Sequence, residues 1–264
     1  MSRTVPLALA LSLSVTLVAG VARSAPPAGE VVVFEAASLR DAFAALAARF
    51  EREHPGARVV TNAAGSQELR AQIEQGAAAD VFASADERQM NALVAAGLAG
   101  TPALFACNEP VIVVRRELAG GIETFADLPR AARIVVGASE VPIGAYTAEI
   151  WRRAAAAPAY GPAFVARVEA KIVSRETNVR QVLAKIVLGE ADAGVVYRSD
   201  ARAAQGKVAV VEIPPALEVT ASYPIAVLAG APHAALARAF VDLVRAPAGV
   251  AALREAGFVP CTRR

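Results

Sequence analysis

The chain has 264 residues, 55% hydrophobic and 20% charged, with 18 glycines and 16 prolines. That composition supports one large or two ordinary buried cores and excludes disordered and collagen-like classes. The formal net charge of +2 comes with no basic stripe, so nucleic acid is not an expected partner.

The N-terminus places Arg3 before an apolar run over residues 5–20, too short and too early for a membrane span. Small residues at Ala22 and Ser24 suit cleavage, so residues 1–24 read as a removable signal peptide. Its removal takes away Arg3 and Arg23 and no acid, leaving a formally neutral mature chain. No cysteine lies near the cleavage site to carry a lipid.

From Glu30 onward, strand and helix patterns alternate. Residues 31–34 are a continuous apolar run, as in a strand covered on both faces. Leu39, Phe43, Leu46 and Phe50 then recur at helical spacing until Pro55-Gly56. Strands are expected at 58–61 and 81–84, and helices at 67–75 and 87–96. This βαβαβα order implies a mostly parallel sheet with helices on both faces. Residues 105–115 read as one longer strand broken by Pro110, which suits a chain crossing from one sheet to another. A second alternating array follows, with strands at 133–137, 170–173, 193–197 and 208–213 and helices at 145–156 and 179–188. A strand at 222–228 and helices at 234–244 and 248–256 complete the chain. Residues 154–164 read as a surface loop. Two lobes around a cleft is the natural arrangement, and such clefts are preferred ligand sites.

Much chemistry is missing. His54 and His233 are the only histidines, and Cys107 and Cys261 the only cysteines, so no transition-metal cluster stands at ligand spacing. The two cysteines are compatible with a disulfide or with two buried thiols. There is no nucleophile elbow, P-loop or dinucleotide fingerprint, and no carboxylate pair singles itself out. No catalytic constellation can be named, and a non-enzymatic protein is expected.

The positive features sit where strands give way to helices. Ser38 stands at that junction in VVVFEAASLRDAF, and Ser66 in RVVTNAAGSQELRAQI. Each suits an N-cap, and each can offer a hydroxyl and a backbone N–H to an anion. Val141-Pro142-Ile143-Gly144 and Thr177-Asn178-Val179 are related junctions in the second array. Tyr197 ends the buried strand AGVVY, where a phenol reaches a cleft or packs at a strand end. These groups are neutral donors, a set suited to a tetrahedral dianion.

With these residues in place, the chain resembles the periplasmic molybdate-binding proteins of ABC importers. The likeness runs from Val31 to Pro260 and is carried by AASLRDAF, QIEQGAAADVFASAD, GASEVPIGAYTAEIW, GEADAGVVYRSDA, SYPIAVL and REAGFVP. The resemblance implies a two-lobed α/β type II binding-protein fold, with lobe I at 25–107 plus 221–264 and lobe II at 108–220. It implies an oxyanion held by Ser38 and Ser66 from lobe I, by the backbone N–H groups of Ile143 and Val179 and by the phenol of Tyr197. The ligand would be molybdate or tungstate, with no cofactor and no direct metal ligand. The implied partner is a membrane permease, the implied location the periplasm, and the expected state a monomer. One departure stands out: Glu35, three residues before Ser38, replaces an expected small apolar residue. Facing the cleft it would repel a dianion; facing a helix or solvent it would not. The rival readings are a site for sulfate, thiosulfate or phosphate, the last with Glu35 as acceptor, and, more remotely, a secreted α/β hydrolase.

Overall fold

A computed structural model describes residues 29–261; the expected signal peptide lies outside them. The first part of the chain forms β1 (Gly29–Ala36), α1 (Arg40–Glu53), β2 (Ala57–Ala64), α2 (Ser66–Glu74), β3 (Val81–Ala83), α3 (Glu87–Ala95) and β4 (Ala103–Asn108). The second forms β5 (Pro110–Arg115), β6 (Ile134–Gly137), α4 (Pro142–Ala156), α5 (Gly161–Glu169), β7 (Ile172–Glu176), α6 (Val179–Val187), β8 (Ala193–Tyr197), α7 (Arg198–Ala203) and β9 (Val208–Val211). The chain then returns as β10 (Ala221–Val227), α8 (Ala234–Arg245) and α9 (Pro247–Glu255).

These strands build two five-stranded sheets, ordered β2-β1-β3-β10-β4 and β7-β6-β8-β5-β9. In each sheet a single strand, β10 or β5, runs against its neighbours, and the other strands share one direction. The expected mostly parallel architecture is therefore present, and both opposed strands directly follow a change of sheet. The expected single strand at 105–115 is in fact two, β4 and β5, in different sheets. Pro110 opens β5, where its missing N–H costs least. Pro224 in β10 is accommodated by a register shift between Tyr223 and Pro224.

The continuous apolar reading of β1 has a direct cause. Val31 and Val33 join Leu39, Phe43, Phe50 and Phe240 in one core cluster. Phe34 joins Leu69, Met90 and Leu93 in the other, across the sheet. The expected loop at 154–164 is overturned: α5 starts at Gly161, and β7 begins two residues later than the pattern suggested. Gly161-Pro162 resembles a turn in sequence, yet proline is compatible with a first helical turn. Phe164, Val165 and Val168 then bury one helical face. Phe164 and Tyr160 pack on Phe125 at 5.5 and 5.2 Å between ring centres.

Glu35 is fully buried, and neither carboxyl oxygen has a hydrogen-bond partner among the described residues. Strand alternation puts it on the face of Val31 and Val33. Burial pushes its pKa up to about 8; Arg40 works against that rise and Asp41 adds to it. A neutral carboxylic acid is therefore held in the core at neutral pH.

Cys107 and Cys261 form a disulfide, with 5.1 Å between their Cα atoms. The bond reinforces a bridge in which Cys107 and Val259 exchange backbone hydrogen bonds of 3.1 and 2.9 Å. It ties the C-terminal segment to β4, an edge strand of the first sheet.

Two outcomes are expected. Replacing both cysteines by alanine should lower unfolding free energy in urea by about 2–4 kcal/mol, the usual range for a native disulfide. For Glu35, the folded pKa lies above the unfolded one, so the unfolded chain releases the proton first. Stability should then fall by up to about 1.4 kcal/mol per pH unit between the ordinary glutamate value of 4.5 and about 8. Urea unfolding across that window should show a shallower decline in Glu35→Gln.

Candidate functional site

The site is built at the carboxyl ends of the parallel strands, where open α/β sheets bind ligands. After β1 the chain makes a 3₁₀ turn, Ala37–Leu39, that carries Ser38 into α1. After β2, Gly65 precedes Ser66, the first residue of α2. Ala85 follows β3. In the second lobe Val141 precedes α4, Asn178 precedes α6, and Tyr197 ends β8.

These segments enclose one small cavity of about 10 Å³ between the lobes. Ala36, Ala37, Ser38, Ala64, Gly65, Ser66 and Ala85 line it from the first lobe. Val141, Pro142, Ile143, Asn178, Val179 and Tyr197 line it from the second. All five residues singled out in the sequence, Ser38, Ser66, Ile143, Val179 and Tyr197, thus meet around it. No charged side chain is among the lining residues, and Glu35 is not one of them.

Of the two uses open to these serines, capping is not taken up: neither makes a helix-cap hydrogen bond. Ser38 Oγ lies 2.9 Å from the hydroxyl of Tyr223, and the Ala85 N–H donates to Ser66 Oγ at 3.0 Å. At the start of α2 it is the Glu68 carboxylate that accepts the Gly65 N–H, at 2.9 Å. Asn178 does cap α6, accepting the Gln181 N–H at 3.1 Å. The serine hydroxyls are therefore engaged with the scaffold beneath the cavity and not with the helix backbone.

The backbone donors follow from helix chemistry. The first N–H groups of a helix have no intrahelical partner and carry the positive end of its dipole. Pro142 opens α4 without an N–H, so Ile143 supplies its first donor. The Ile143 side chain lies over Gly137 in the apolar core. Val179 is the first residue of α6. The Tyr197 phenol is 1% exposed, and its hydroxyl has no hydrogen-bond partner among the described residues. Burial, and next the neighbouring Tyr223, hold its pKa well above the ordinary phenol value, so it remains a proton donor.

Several residues around the site carried no role in the sequence reading. Tyr223, within the quoted SYPIAVL, reaches Ser38; its ring centre is 5.8 Å from that of Tyr197. The ring centre of Tyr146 stands 6.4 Å from that of Tyr197, and its hydroxyl accepts the Ser222 N–H at 3.3 Å. Bonds between the lobes surround the cavity. Gln67 donates to the Thr177 carbonyl at 2.7 Å, and Arg88 and Gln89 donate to the Glu140 carbonyl at 2.7 and 3.1 Å. Arg180 pairs with Asp41 across the lobes at 2.6 Å. On its own lobe, Arg180 approaches the fully buried Asp200 to 2.8 Å. Burial pushes Asp200 up to about 6 against the pull of Arg180. No metal-binding group of His, Cys, Asp and Glu occurs among the described residues.

Residues 31–259 match the family described as bacterial extracellular solute-binding protein. A molybdate-binding protein of Mycobacterium tuberculosis is 43% identical over 88% of this chain and 85% of its own length. One from Escherichia coli is 33% identical over 87% of this chain and 89% of its own. The fold matches the periplasmic molybdate-binding protein of Azotobacter vinelandii with a TM-score of 0.76, covering 88% of this chain and 100% of that one. At 21% identity that last likeness is one of fold alone. By sequence and by architecture, then, the chain belongs to the family of bacterial extracellular solute-binding proteins.

Proposed function

We propose that this protein captures molybdate or tungstate outside the cytoplasm and delivers it to the membrane permease of an ABC importer. The observation that carries the reading is the lining of the cavity. Neutral donors converge there from both lobes, and no cation is among them. The 3₁₀ turn leading into α1 and the starts of α2, α4 and α6 bring partial positive charge from backbone dipoles. Ser38, Ser66 and Tyr197 add hydroxyl donors. Such a set suits a compact anion that accepts hydrogen bonds on every side. The names of the relatives support the same ligand.

The inter-lobe bonds supply the transport logic. An anion touching both lobes stabilises the closed arrangement, because half of its contacts vanish when the lobes part. The closed form is what a permease would distinguish from the open one. Gly65 is placed to allow this closure: a Cβ there would fall inside contact distance of the Thr177 carbonyl oxygen on the other lobe. The protein is expected to act as a monomer and to carry out no chemical conversion of the anion.

Isothermal calorimetry with molybdate, tungstate, sulfate and phosphate tests the assignment; tight binding of phosphate with no heat from molybdate would end it. In a folded Ser38→Ala/Ser66→Ala protein, molybdate affinity should fall at least about tenfold, since each charge-assisted hydrogen bond contributes about 1.5–3 kcal/mol. Gly65→Ala should weaken binding by a similar factor of about ten by holding the lobes apart. Its melting temperature without ligand should stay near that of the parent chain.

A further inference from the structure

A bond that crosses between the lobes has to break before a held anion can leave. Three such bonds around the cavity run from side chains of the first lobe to backbone carbonyls of the second, at Thr177 and Glu140. A fourth differs in kind. Arg180 Nη2 donates to Asp41 Oδ2 at 2.6 Å. Among the described residues this is the one ion pair that joins the two lobes.

Both ends of the pair stand next to residues of the site. Asp41 lies in the first turn of α1, three residues after Ser38, and Arg180 directly follows Val179 in the first turn of α6. Neither lines the small cavity. Both line a second space of about 430 Å³, which Ser38 also borders. An acid in a first helical turn suits the dipole of α1, whereas a cation in the first turn of α6 opposes the dipole there. Asp200 compensates. Fully buried, it places Oδ1 2.8 Å from Arg180 Nε and accepts the Tyr197 N–H on Oδ2 at 3.3 Å. Exposed ion pairs are ordinarily weak because two long side chains have to be ordered. Here the guanidinium is already held on its own lobe and its partner is a short aspartate, so little freedom is lost when the lobes meet.

We infer that Arg180 is a positioning residue for closure: held by Asp200 on its own lobe, it latches onto Asp41 of the other and so sets how long the anion is retained, without touching it. Two carboxylates outweigh one guanidinium, so the cluster as a whole does not attract an anion. The latch forms once the lobes have met, and it therefore acts on release more than on capture. This inference rests on reading the cavity as an oxyanion site, but not on which anion is the natural one.

The test is release of radiolabelled molybdate into excess unlabelled molybdate, with calorimetry for the equilibrium affinity. It compares the parent chain, Asp41→Asn, Arg180→Gln and the double variant. Asp41→Asn should release molybdate about threefold to fivefold faster, with the association rate nearly unchanged. Release from the parent chain should quicken as ionic strength rises, because the Asp41 end of the pair is exposed to salt. That salt dependence should vanish in Asp41→Asn, and the melting temperature of this variant without ligand should not move. Arg180→Gln should also release faster, and adding Asp41→Asn to it should change nothing further, since the two act through one bond. Unchanged or slower release from Asp41→Asn overturns the inference; slower release is the result expected if Arg180, freed of one carboxylate, simply attracted the anion. Equal salt dependence in parent and variant overturns it too, as do additive effects in the double variant. If Arg180→Gln does not fold, the rate and salt dependence of Asp41→Asn decide alone. A parent chain that binds sulfate or phosphate in place of molybdate removes the proposed ligand, and the same release measurements with that anion, labelled, then judge the latch. A parent chain that binds none of molybdate, tungstate, sulfate and phosphate overturns both.

Discussion

The proposed function turns on one constraint: a small anion would have to be held between two lobes whose cavity lining carries no formal positive charge. Burying an ion away from water is expensive unless hydrogen bonds replace its hydration shell. Helix N-termini meet that requirement because their first N–H groups are unpaired by geometry and aligned by the helix itself. The topology brings them together by placing each helix after a parallel strand, so that its start lies at the carboxyl edge of the sheet. Two sheets facing each other then contribute donors from opposite sides. With dipoles in place of mobile cations, the donors are fixed before the ligand arrives, and binding spends little on ordering side chains.

Rigidity beneath the cavity follows from the same constraint. Ser38 and Ser66 are each anchored from behind, by Tyr223 and by the Ala85 N–H. Tyr197 packs edge-on with the rings of Tyr146 and Tyr223. The charged residues stand outside the cavity lining, and Arg180 ties the lobes to each other through Asp41. On the proposed reading, charge would serve closure and neutral donors recognition. Glu35 fits the division in an unexpected way: it is kept out of the cavity lining and uncharged in the core, so it would not repel a dianion.

Much of this was legible along the chain. Strand-helix alternation, the apolar run of β1, the stripe of α1 and the break at Pro110 all follow from local periodicity and backbone chemistry, and they suffice for two βα arrays. The five residues around the cavity were visible as strand-helix junctions, because a junction of that kind is a local feature. The helix at Gly161–Glu169 was not, since Gly161-Pro162 imitates a turn and only packing on Phe125 settles the matter. At both serines a helix cap is the local alternative to an anion contact, and which scaffold groups their hydroxyls meet depends on residues distant in sequence. Tyr223 lies 185 positions from Ser38.

The sequence by itself determined which residue types stand at each strand end, the order of elements and the family to which the chain belongs. Those properties depend on neighbours a few positions apart. Tertiary structure alone decided that Cys107 meets Cys261, that Glu35 turns into the core, and that Tyr223 stands behind Ser38. It also decided that the donors of two lobes close on a single cavity. Each of these joins groups brought together only when both sheets have formed, or turns on which face of a strand is covered, and no local pattern encodes such an outcome.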